Sequence, residues 1–267
     1  MFVVFAIPEI RHHILLKRHA KKLRKRGIPV HTADERKDTS IKGFVKSSVG
    51  RPIKMLFTEF IVAATTLWSA FAFGTIFTFT QSIPQVSRSL YGWNTYQTNM
   101  IQSAVVIGEL VALLISPLQN HIYARSAHRS GDKKPIPEAR LYYSIFGSFL
   151  GITGGYFWYA WTSHPTLPWV LPAIGLALVG FGIYTIRLAA TEYLTDSYSC
   201  HAAGAPVIVS MENVLAAFLP LATRSMYSTL SLNWASTLLG FISLVLGFAP
   251  VTFVVWGKKI RDKSSFI

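Results

Sequence analysis

Glu109, Arg187 and Glu212 stand in otherwise apolar stretches of the chain. A charged side chain there needs a partner, a wet cavity or a function, because placing it at the centre of a bilayer costs about 2.5–3.5 kcal/mol on insertion scales. Arg187 lies nine residues before Asp196 and Glu212 nine residues after Ala203, each counted from one boundary of consecutive candidate spans. With a rise of about 1.5 Å per residue the two sit at nearly equal depth, and an interhelical ion pair is expected. Glu109, eleven residues before Asn120, lies at similar depth without a local counter-charge. A lone carboxylate in low dielectric suits a proton carrier or a cation site, its other reading being a protonated packing residue. Trp68 falls mid-span, where helix packing and a ring lining a substrate cavity are both open. Glu59 and Glu192 lie near span ends, within reach of interfacial water.

Other chemistries find no residues. All eight histidines lie in connections or in the basic segment near the start, so no intramembrane histidine metal site assembles. There is no Gly-x-Ser-x-Gly elbow, no Walker loop and no Cys-x-x-Cys pair, and the single cysteine, Cys200, excludes an internal disulfide. No enzyme activity and no cofactor is therefore expected.

The elements that must position these residues follow from hydropathy. Half of the residues are hydrophobic and 14% are charged. Between Lys54 and Arg88 the only ionisable acid or base is Glu59, and Leu141 to Ile186 contains no Asp, Glu, Lys or Arg. A second charge-free run separates Arg224 from Lys258. About 20 apolar residues suffice for one helical crossing, and continuous apolar runs argue against a barrel, whose strands alternate. The reading is an all-α integral membrane protein of six spans, near 55–82, 98–119, 142–162, 169–194, 203–223 and 234–256. Residues 1–7 read as the end of a truncated helix, 8–54 as a basic cytoplasmic segment, 55–256 as the six-helix bundle and 257–267 as a basic cytoplasmic tail. Spans three and six carry no charge, so they are expected to face lipid while spans one, two, four and five surround a polar path. Gly147, Gly151 and Gly155 repeat every four residues, a spacing that lets helices approach closely.

Lys and Arg number fourteen from Arg11 to Lys54 and one, Arg88, between spans one and two. Five lie between spans two and three, none between three and four, and four more in the tail. This alternation places both termini in the cytoplasm. The formal charge of +14 and the run Lys21 to Arg26 would fit a nucleic-acid binder in a soluble protein. Beside six spans they serve topology or anionic lipid instead, each basic residue near such a surface gaining about 1 kcal/mol.

Several motifs occur in a consistent order: Ile7-Pro8-Glu9 before the basic run, Arg51-Pro52-Ile53-Lys54-Met55-Leu56-Phe57-Thr58-Glu59, Pro137-Glu138-Ala139-Arg140-Leu141, Glu192-Tyr193-Leu194-Thr195-Asp196-Ser197-Tyr198, and Trp234-Ala235-Ser236-Thr237-Leu238-Leu239-Gly240-Phe241. Over nearly the whole chain they resemble the carboxy-terminal half of fungal major facilitator transporters of the drug:proton antiporter group, which includes multidrug and polyamine transporters. Asn120-His121 stands where that family often has an acid and a base, and Glu192 where Asn is usual. The resemblance implies a plasma-membrane protein that exchanges a small cationic or amphipathic solute for protons, completed by a second six-helix half. Glu109, Arg187, Glu212 and Trp68 would then line its path. A non-transporting remnant or assembly partner from a truncated gene is the other expectation.

Overall fold

The chain is described from a computed structural model. It describes residues 20–21, 23–24, 50–129, 136–197, 212–214 and 216–261. The chain divides into Met1–Gly50 and Arg51–Ile267. In the first unit residues 20–21 and 23–24 are helical, while the expected truncated helix 1–7 and residues 8–19, 22 and 25–49 of the basic segment lie outside the described residues.

In the second unit every regular element among the described residues is helical. A short helix α1 (Arg51–Thr58) leads into α2 (Phe60–Tyr91) through Glu59, whose extended backbone kinks the chain while hydrogen bonds continue on either side. Gly92, with φ 62, ends α2 in the left-handed conformation, and its N–H donates to the Ser87 carbonyl. Then follow α3 (Thr95–Arg129), a 3₁₀ turn (Pro137–Arg140), α4 (Leu141–Phe146), a π-helical segment (Gly147–Thr153) and α5 (Gly154–Thr162). The last elements are α6 (Val170–Ser197), α7 (Phe218–Thr229) and α8 (Leu232–Arg261).

Among the described residues four helices are long and apolar enough to cross a membrane: Phe60–Tyr91, Thr95–Ser126, Val170–Ser197 and Leu232–Gly257. They correspond to the first, second, fourth and sixth expected spans. The chain is thus a multi-pass membrane protein. All four helices outrun their expected carboxy-terminal bounds, since winding continues into polar flanks that hydropathy assigns to loops. The third expected span is helical from Leu141 to Thr162 but in three consecutive segments, none long enough alone. Of the fifth, residues 203–211 lie outside the described residues, and helix is seen at 212–214, 216 and Phe218–Thr229.

α6 is the hub. It packs along α3, along the whole Leu141–Thr162 run and against α2, whereas α7 packs mainly on α2. Both flanks of α6 approach their neighbours backbone to backbone. Gly108 and Val105 of α3 meet Ala177 and Gly180, while Gly147, Gly151 and Gly155 meet Thr185, Gly182 and Gly175. A Cβ built on Gly151 would lie 2.6 Å from the Gly182 Cα, so the four-residue glycine repeat serves this crossing. The opposite face of the same run, with Tyr142, Phe146, Leu150, Trp158 and Trp161, is exposed. The run therefore has one lipid-compatible face and one packed face.

The core between α2, the third run and α8 is aromatic. Phe79 stacks on Tyr156 at 5.0 Å and meets Tyr159 edge-on at 5.4 Å, and Tyr193 stacks on Phe253 at 5.9 Å. Hydroxyls in it are tied down: Tyr156 donates to Thr75 Oγ1 at 3.2 Å, and Thr153 and Ser243 share a 2.7 Å bond. Such bonds matter most where no water can replace them.

Candidate functional site

One face of α2 carries Phe73 and Phe77, one helical turn apart, with ring centroids 5.2 Å apart and edge to face. Phe77 is exposed and Phe73 half-buried. Across from them α6 brings up Arg187, whose guanidinium carbon lies 4.1 Å from the Phe73 centroid, within cation–π range. Phe73 and Phe77 also wall a cavity of about 420 Å³ whose other lining residues are Asn213, Ala217 and Pro220. Glu212, the neighbour of Asn213, is buried, and Glu109 on α3 is half-buried. The charge of Arg187 acts on both carboxylates. Glu109 and Glu212 thus lie within electrostatic reach of Arg187, while the guanidinium itself sits on Phe73.

The expected contact ion pair is not formed. Among the described residues Arg187 makes no salt bridge with Glu212 or with Glu109, and it donates no hydrogen bond. Sequence counting gives depth along a helix, but the direction of the guanidinium is set by packing, which turns it onto Phe73. Phe73, Phe77 and Asn213 escaped the sequence reading, because an apolar aromatic in a span has no signature that separates cavity wall from core. The i, i+4 spacing of the two phenylalanines was the available signal.

Compared with known proteins, the chain is 34% identical over 274 residues to the MFS transporter cpaT of Aspergillus oryzae, covering all of this chain and 54% of that protein. It is 34% identical over 267 residues to a major facilitator superfamily multidrug transporter of Candida albicans, FLU1, covering 98% of this chain and 43% of the relative. An MFS-type efflux pump of Trichophyton rubrum is 32% identical over 264 residues, with shares of 97% and 44%. The chain belongs to the major facilitator superfamily. This major facilitator chain spans about half the length of the relatives it matches, which are named as transporters and efflux pumps and not as enzymes. No family model and no solved structure matches it.

Trp68, for which helix packing and a cavity wall were both open, is buried in this major facilitator chain. It is 2% exposed, and its Nε1–H donates to Ser148 Oγ at 3.1 Å, so it faces the third run and fills the core. The indole is held there because its one donor finds a buried acceptor. Trp68→Phe is expected to lower stability by about 1–3 kcal/mol, through lost packing and an orphaned Ser148 hydroxyl, and to leave the order of solute preferences unchanged. A thermal shift assay beside a transport panel checks both halves; altered selectivity with unaltered stability would contradict this placement.

At the C-terminal end of α6, beyond Arg187, lies a polar cluster that sequence reasoning missed. Arg140, at the end of the 3₁₀ turn, reaches Glu192 Oε2 with Nη1 at 2.9 Å and Asp196 Oδ2 with Nε at 3.1 Å. The same Nη1 donates to Asn120 Oδ1 at 3.0 Å, and the guanidinium lies 3.7 Å from the Tyr123 centroid. Gln119 Nε2 donates to Glu192 at 2.8 Å. Three helices are stitched by one side chain whose planar fork suits two carboxylates at once. The signal in the sequence was the four-residue spacing of Glu192 and Asp196 on one helical face.

Proposed function

We propose that this chain is the carboxy-terminal half of a secondary active transporter that moves a small organic solute, cationic or amphipathic, in exchange for protons. The observation that carries the reading is the seating of Arg187 on the ring of Phe73, which walls a cavity together with Phe77, in a helical bundle related to named efflux pumps. Glu109 and Glu212 carry the proton or the solute charge, and Arg187 balances them.

In this reading the bundle has six spans. Leu141–Thr162 counts as the third, because its 22 consecutive residues are all helical, and the fifth is counted from the sequence alone. Both termini lie in the cytoplasm of a plasma-membrane protein, following the bias of Lys and Arg toward the ends and the second connection. The exposed apolar side chains of α3, Val106, Leu110 and Leu114 among them, would lie against the second half. Such transporters rock two halves around a midplane site, so this chain supplies one wall.

The test is co-expression with the amino-terminal six-helix half of a relative, scored by efflux of a panel of organic cations from cells. The pair should export at least one solute, stop when a protonophore collapses the gradient, and lose at least about tenfold in rate with Glu109→Gln or Glu212→Gln. Tags at both ends of the same chain should stay unlabelled in intact cells. Export of nothing by the pair, or export indifferent to both carboxamides, would refute the reading.

A further inference from the structure

Arg187 is an unusual occupant of its position. Its guanidinium donates to no acceptor among the described residues and rests on the face of Phe73, a ring that itself walls an open cavity. Five N–H donors without an acceptor among the described residues are costly inside a bundle unless the group is easily moved or solvated. Two carboxylates, Glu109 and Glu212, answer to this single cation. If it left, both would be stranded at bilayer depth, so something of like charge must take its place.

We propose that Arg187 holds the place of the solute in the unliganded chain: a monovalent organic cation with a compact apolar body seats its charged head on the Phe73 ring and its body against Phe77, Ala217 and Pro220, displacing the guanidinium. The inference rests on the transporter reading and deepens it by naming the solute class and the residue that the solute replaces. The aromatic face at Phe73 already holds a delocalised cation, and an alkylated ammonium is drawn to such a face by the same quadrupole. The cavity of about 420 Å³ suits a small body, and Asn213 is the polar group that can orient it. Exchange of one cation for another leaves the net charge near Glu109 and Glu212 constant. Phe73 becomes the specificity-determining residue, because both competitors use its ring.

The whole chain in lipid nanodiscs is titrated with benzyltrimethylammonium, and with benzenesulfonate as an anion of similar size. The cation should bind and the anion should not. Arg187→Gln removes the competitor and should tighten cation binding at least about fivefold, while Phe73→Leu should weaken it by about threefold or more. A measurement on the unaltered chain guards against variants that fail to fold. With ¹⁵N-labelled arginine, the Arg187 Nε resonance, shifted by the Phe73 ring current, should move to an unstacked position as the cation saturates. Absence of cation binding, anion binding lost in Arg187→Gln, or cation binding that leaves the Arg187 resonance in place each overturns the proposal. None of these outcomes touches efflux by the two-half protein, which is scored in cells, so the two readings fail separately.

Discussion

Gly182→Ala should cost about 3 kcal/mol of stability, lower the melting temperature by at least about 6 °C and reduce the folded yield in membranes. The reason lies in what a methyl group would meet. A Cβ on Gly182 falls 2.6 Å from the Ile152 backbone nitrogen and 2.7 Å from Ile152 Cγ1, besides pressing on the Gly147 carbonyl. Two of these three neighbours are backbone, which cannot rotate away. Relief requires moving the third run off α6, and that also opens the contacts of Gly151 and Gly155 along the same seam. Gly240→Ala is the matched control. There a Cβ would meet only the tip of the Phe157 ring at 3.3–3.4 Å, which a small side-chain rotation relieves, and the loss should stay below about 1 kcal/mol. Thermal unfolding of the two variants in one detergent checks the contrast; equal losses would show that the seam is not the limiting contact.

Arg140→Ala should destabilise the chain by about 2 kcal/mol. Removing one partner of a fully buried pair costs about 3–5 kcal/mol, and the discount reflects partial solvent access, the side chains of Arg140, Glu192 and Asp196 being 15%, 25% and 26% exposed. The substitution leaves two carboxylates four residues apart on α6 facing each other without a cation, and frees α3 at Asn120 and Tyr123. Arg140→Lys should recover less than half of the loss, since one ammonium cannot span Glu192, Asp196 and Asn120 as the fork does. In a double-mutant cycle Arg140→Ala with Glu192→Gln should lose less than the sum, by about 1 kcal/mol. Additive losses in unfolding experiments would mean that the short distances carry no coupling.

How much of this was legible beforehand depended on the kind of information a residue carries. Long apolar runs made spans near 55–82, 98–119, 169–194 and 234–256 readable, where the helices run 60–91, 95–126, 170–197 and 232–257, because hydropathy reports directly on transfer into lipid. Rotation about the helix axis was not readable. Trp68 faces Ser148, and Arg187 faces Phe73 in place of Glu212, since azimuth is decided by which neighbours pack there. Arg140 looked like one more loop charge; its partners lie 52 and 56 residues away, and no local pattern announces contacts at that separation.

The π-helical segment Gly147–Thr153 has a consequence for how the third run can vary. In an α-helix a residue set spaced by four drifts around the axis by about 40° with each step, so three glycines at 147, 151 and 155 would wander off any straight seam. Wider winding within the segment turns a four-residue step the opposite way and so offsets the drift of the flanking α-turns, and the glycines stay toward α6 while Tyr142, Phe146, Leu150 and Trp158 stay toward the lipid. The segment acts as a gear whose tooth spacing matches a four-residue pitch. Loss or gain of a single residue within it would turn everything beyond by about 100°, carrying outward aromatics into the seam and glycines into lipid. Length changes in this protein are therefore tolerable in its connections but not in these seven positions.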